Sequence, residues 1–178
     1  MKKSREIRFY DYVNHPYQLV RHALRQDAVT VFQLATKSAV SRAQSVATEL
    51  HVDFAGIAVK ADITVSVRNI EEKTDAIASP TTRLLLEWEA ATMPGLFPVM
   101  KAELSIYPLT ATETQLDLFG HYEPPFGVVG KAVNAIVGYR IAEASVHRFL
   151  TEVAGYLRQM LASATAKHNR SERASGKG

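Results

Sequence analysis

Apolar positions recur with a helical period along the last third of the chain. At about 100° per residue, Val128, Ala132, Ala135, Tyr139, Ala142, Val146, Phe149, Leu150, Val153, Leu157, Met160 and Leu161 fall on one stripe. Arg148, Thr151, Glu152, Arg158 and Gln159 fall opposite. This predicts one long closing helix. Upstream the period is two. Ile63, Val65 and Val67 alternate with polar neighbours, as do Leu84, Leu86, Trp88 and Ala90, then Met100, Ala102, Leu104 and Ile106, then Leu116, Leu118, Gly120 and Tyr122. Val52, Phe54 and Ala58 predict a further strand, with Gly56 at a bulge. One apolar and one polar face per strand predicts an antiparallel sheet covered on one side.

The first fifty residues mix the two periods. Glu6 to Val13 predicts a strand with Ile7, Phe9 and Val13 on one side and Arg8, Tyr10 and Tyr12 on the other. Asn14 as cap and Pro16 at a first helical position then open a short helix, with Leu19, Val20, Ala23 and Leu24 as its apolar face. Asp27 to Leu50 is helical by composition, and the β-branched Val29-Thr30-Val31 weakens its start. The polar stretch Glu71 to Pro80 is expected to be a loop, and Pro94-Gly95 a turn. Strands followed by one closing helix predict an α+β layer.

Composition narrows the class without naming a reaction. At 178 residues, 47% hydrophobic and 22% charged, the chain fits one globular domain. We expect a flexible N-terminus over 1–5, a single domain over 6–165 and a disordered basic tail over 166–178. The absence of cysteine excludes thiolate nucleophiles and Cys-based metal sites, and a cytoplasmic location is expected. MKKSREIRFYDYV lacks the apolar core of a signal peptide, and no window reaches the ~18 apolar residues of a membrane span. The net charge of +3 is a property of the ends. Lys2, Lys3 and Arg5 give +3, and residues 167–178 give another +3. The body is therefore −3, which argues against a specific nucleic-acid partner.

The order strand, helices, antiparallel strands, long C-terminal helix resembles the helix-grip superfamily. Its members include the birch pollen allergen, lipid-transfer START domains and polyketide cyclase/dehydrase-like proteins. Tyr122-Glu-Pro-Pro-Phe-Gly-Val-Val-Gly130 is similar to the strand-to-helix junction of bacterial members, and Arg140-Ile-Ala-Glu-Ala-Ser-Val-His-Arg-Phe149 to their helix. The resemblance implies a curved antiparallel β-sheet wrapped around the C-terminal helix, with helices between the first two strands. It covers residues 6–162, and its motifs are structural rather than catalytic. Residues 14–50 depart from it, being longer and more helical than the paired short helices usual there.

Catalytic signatures are sparse. His15, His22, His51, His121, His147 and His168 form no ligand-spaced pair with a carboxylate, so no metal and no cofactor are expected. No GxSxG, P-loop or dinucleotide fingerprint occurs. Gly127 and Gly130 suit a helix start, with Pro124 and Pro125 removing two donors upstream. Glu87, Glu89 and Glu103 fall on the wet side of the sheet, near Arg83 and Lys101 in the pattern.

The remaining polar groups lie on or beside the closing helix's apolar stripe. Tyr139 lies within the stripe, with Glu143 at its edge one turn on; Trp88 and Tyr122 lie on the inward sheet face. Glu143 either reaches water, pairs with Arg140 or Lys131, or anchors a ligand. The first half of the stripe is small (Ala132, Ala135, Ala142) and the second bulky, so space is expected in the first half. There the opposite side is apolar too, with Val129, Val133, Val137, Ile141 and Ala144, which calls for a cover. Residues 28–50 would supply it; the alternatives are a second copy of the chain or a lipid-facing mouth. Three readings follow. In the first, a hydrophobic small molecule or lipid binds between sheet and helix, lined by Leu86, Trp88, Leu104, Leu118, Tyr122, Ala135, Tyr139 and Ala142. In the second, a cyclase-like enzyme uses Tyr139 and Glu143 to move protons. In the third, the apolar helix face docks a protein partner.

Overall fold

The computed structural model describes residues 5–49, 63–73, 79–90, 100–122 and 135–175. Five strands and two helices follow in the order β1 (Arg5–Val13), α1 (Tyr17–Glu49), β2 (Ile63–Lys73), β3 (Thr81–Ala90), β4 (Met100–Pro108), β5 (Thr114–Tyr122) and α2 (Ala135–Ser175). All strand pairs are antiparallel, in the order β1-β5-β4-β3-β2, with a bulge between Val67 and Asn69. Both helices pack on one face of this sheet. That arrangement is the helix-grip architecture.

The period-two pattern sets that face. Ile7, Leu84, Leu86, Leu104, Ile106, Leu116 and Leu118 are buried together with Val146, Phe149, Leu150, Val153 and Leu157 of α2. Register aligns Leu84, Leu104, Leu118 and Phe9 across four strands. The opposite face carries ion pairs, Arg8–Asp117 at 2.5 Å, Arg83–Glu103 at 3.3 Å and Lys101–Glu87 at 3.9 Å. The wet-face carboxylates Glu87 and Glu103 therefore have local cations to answer to. Glu89 lies on β3, its side chain outside the described residues.

α1 is one helix with a break. Asp27 has non-helical φ −126° and ψ 19°, just before Val29-Thr30-Val31. It divides a first part burying Tyr17, Val20, Ala23 and Leu24 from a second burying Ala28, Val31, Phe32, Ala35 and Ala39. Leu19, expected on the apolar face, is exposed. The first part is tied to β2: Glu72 accepts from Arg21 at 2.6 Å and from Arg25 at 3.1 Å. The second part lies along α2, where Arg148 donates to Ser38 at 2.9 Å. Residues 28–39 thus pack beside Arg148 and Phe149 of α2, while Val129, Val133 and the side chain of Val137, for which the cover was expected, lie outside the described residues.

Four expectations need correction. Arg5 belongs to β1 rather than to a flexible terminus, because its backbone pairs with Tyr122. β2 continues through Glu71 and Glu72 to Lys73, where the sheet ladder and the two arginines of α1 hold a polar sequence in strand. Helix continues past residue 166 to Ser175, since Ala, Lys, Arg and Glu propagate an existing helix at little cost. Finally, Arg158 does not point away from the fold. Its guanidinium donates to Asp11 at 2.6 Å and to the Tyr12 carbonyl, joining α2 to β1. The expected strand at 52–58, the turn at 94–95 and the junction 123–130 lie outside the described residues.

Candidate functional site

The core changes character along the inner face of the sheet. At the end where β3 and β5 finish and β1, β2 and β4 begin, register aligns Trp88, Met100, Tyr122 and Arg5. α2 starts above this end with Tyr139, Ile141, Ala142, Glu143, Ala144 and Ser145, all half-buried. One turn further on, Val146, Phe149 and Leu150 are fully packed. The interface between sheet and helix is therefore tight in its bulky half and looser in its small half. Below the first row, the next inner row is Leu86, Ala102, Gly120 and Ile7. Its middle is small, Ala102 and Gly120.

Aromatic rings close the tight side. Phe149 of α2 lies edge-on to Trp88 at 5.0 Å and tilted to Phe32 of α1 at 5.9 Å. Helix, helix and sheet thus meet in one ring cluster. Trp88 is half-buried and packs against this cluster. Tyr122 is only 4% exposed. Burial alone pushes its phenol above the usual tyrosine range, which keeps it a neutral hydrogen-bonding group near neutral pH.

Tyr139 forms the other wall. Its hydroxyl donates to the Glu6 carbonyl of β1 at 3.3 Å, and the Arg5 guanidinium stands 5.1 Å from its ring centre. α2 is thereby strapped to the start of β1.

The eight residues expected to line a ligand separate into groups. Trp88, Tyr139 and Ala142 are half-buried at the looser end, and Tyr122 lies in the same register row but is closed into the core. Leu86, Leu104 and Leu118 are closed into the core at 2%, 0% and 0% exposure, behind that end rather than at it. Ala135 begins α2, and its side chain lies outside the described residues. Glu143 is half-buried one turn from Tyr139. His121 and His147 are exposed, edge-on to Phe119 and Phe9 respectively. No three of the described His, Asp and Glu residues converge on a point that would hold a metal ion.

Arg5 is the residue sequence reading missed at this end. Its signal was parity: it continues the inward series of Ile7 and Phe9.

No protein-family model matches the sequence, and no curated protein matches it. Solved structures do resemble it. One is the Zhui aromatase/cyclase from Streptomyces sp. R1128, at 13% identity and TM-score 0.45, covering 89% of this chain and 96% of that one. Another is Ara h 8.0201, at 7% identity and TM-score 0.42, covering 87% and 98%. A third is norcoclaurine synthase from Thalictrum flavum in complex with dopamine and hydroxybenzaldehyde, at 8% identity and TM-score 0.40, covering 89% and 88%. Likenesses this distant leave the chemistry of the chain to its own side chains. No described helix is long and apolar enough to cross a membrane.

Proposed function

We propose that the chain binds a hydrophobic small molecule between the sheet and the first described turns of α2. The observation that carries this reading is the gradient along α2, from packed Phe149 to half-buried Ala142 and Tyr139, over Trp88 and Tyr122. The helix carries small Ala142 and Ala144 here, the next inner row of the sheet carries small Ala102 and Gly120, and Trp88, Tyr122 and Tyr139 supply aromatic surface. Such walls suit an apolar body, and the Tyr122 phenol offers a single polar contact. Tyr139 commits its hydroxyl proton to the Glu6 carbonyl, which favours a wall over a proton carrier.

The test uses Trp88, the only tryptophan in the chain. Titration with a neutral lipophile, dodecanol, should shift Trp88 emission saturably at one equivalent. Ala142→Phe, which fills the looser end, should abolish the shift while the melting temperature holds. No saturable change in the wild type, with no lipophile seen by native mass spectrometry, would refute binding at this place.

A further inference from the structure

Among the described arginines, Arg8, Arg21, Arg83, Arg148 and Arg158 each meet a carboxylate, that of Asp117, Glu72, Glu103, Glu152 and Asp11 respectively. Arg5 meets an aromatic ring, 5.1 Å from the centre of Tyr139. Its place is set from two sides. Register puts it directly opposite Tyr122, on the face that carries Ile7 and Phe9. Tyr139 is itself held by its bond to the Glu6 carbonyl. A guanidinium beside a ring face still has N–H donors to offer, and a planar anion is bound by two of them.

We infer that the ligand carries an anionic head group, a carboxylate in the simplest case, which Arg5 holds while the apolar body lies between Trp88, Tyr122 and α2. This rests on the ligand-binding reading and adds the chemistry of one end of the molecule. Arg5 is exposed, so its N–H donors stand open to a charged group at the edge of this end. An acid meets them with opposite charge and paired hydrogen bonds. The other charged side chains on this part of α2 are exposed Arg140 and half-buried Glu143. Glu143 opposes an anion, so it weakens rather than creates the preference. Glu6 lies on the opposite sheet face by alternation, as does its register partner His121.

The experiment compares dodecanoate with dodecanol at neutral pH, each below its self-association limit, by Trp88 emission and calorimetry. The wild type should bind dodecanoate at least about tenfold tighter, as expected for a charge-assisted contact. Arg5→Gln should bring the two within about twofold, and Arg5→Lys should retain part of the preference. Glu143→Gln should tighten dodecanoate alone. Acetate, a head group without a body, should show no saturable binding. Equal affinities in the wild type, or a preference that survives Arg5→Gln, would overturn the anionic head group and leave hydrophobic binding standing. Failure of both amphiphiles to bind would remove the binding reading itself, and this inference with it.

Discussion

Phe149 of α2 stands edge-on to Trp88 of β3, ring centres 5.0 Å apart at 81°, and the same ring reaches Phe32 of α1. Three elements distant in sequence share one side chain that is 1% exposed. Phe149→Ala should therefore cost about 3–5 kcal/mol, near the upper range for an emptied core site. Phe149→Leu should cost less, since it keeps most of the volume. Urea unfolding measures both. Trp88 emission reports the same event independently, because removing the ring uncovers the indole. A stability unchanged in Phe149→Ala would mean that helix and sheet are not joined here.

Tyr17 and Thr82 form a buried polar pair, their hydroxyl oxygens 2.7 Å apart, between the start of α1 and β3. Removing one partner strands the other, at about 1–3 kcal/mol. Tyr17→Phe and Thr82→Val should each show that loss. The double variant should cost clearly less than the two added together, because no orphaned hydroxyl remains. Strict additivity in a double-mutant cycle would show that the two groups do not depend on each other.

Regular alternation made most of the sheet legible, because β3, β4 and β5 each bury every second residue. The break in α1 was legible as well, as a weak start at Val29-Thr30-Val31 beside Asp27. Contacts between distant polar residues were not. Nothing local relates Tyr17 to Thr82, 65 positions on. Asp11 and Arg158 are a half-missed case. Asp11 shares the parity of Phe9 and Val13, and a carboxylate in an inward series demands a cation. Arg158 was assigned to the solvent side from helical angle alone, yet its long side chain reaches back to β1. The same flexibility hid Arg5, a charged residue at the first position of a strand. At the candidate site, residue type pointed to Trp88, Tyr122 and Tyr139. Which lining positions are closed core and which stand at the looser end depends on packing, and only the structure separates Leu104 from Ala142.

Gly120 of β5 is a test of close approach in the sheet. A Cβ built there would meet the Ala102 Cβ at 2.9 Å and the Lys101 carbonyl oxygen at 3.1 Å. The first distance requires a shift of strand β4, and the second involves backbone, which yields little. Gly120→Ala should lower stability by about 1–3 kcal/mol, as overpacking does. Adding Ala102→Gly should recover only part of it, since the carbonyl contact remains. The two denaturation midpoints decide the matter. Full recovery would assign the whole effect to the side-chain contact.

Glu72 of β2 is the anchor for the first part of α1, and its ionisation should be visible in the pH dependence of stability. Its hydrogen bond to Arg21 holds the carboxyl below the usual carboxylate range, partly opposed by desolvation and reinforced by the charges of Arg21 and Arg25. A carboxyl whose folded-state pKa is depressed binds protons more readily when the chain is unfolded. Its contribution is therefore complete above the usual carboxylate range and is lost as pH falls through the folded-state value. Wild type and Glu72→Gln should accordingly differ at neutral pH and converge in acid, with the wild type the more stable of the two at neutral pH. The side chains of Glu72 and Arg21 are 32% and 29% exposed, so salt reaches the pair. The neutral-pH gap should narrow in about 1 M sodium chloride, where screening acts over about 3 Å. Thermal melts of both proteins from acid to neutral pH test this directly. A gap that persists unchanged in acid would mean that Glu72 acts through packing, with its charge playing no part.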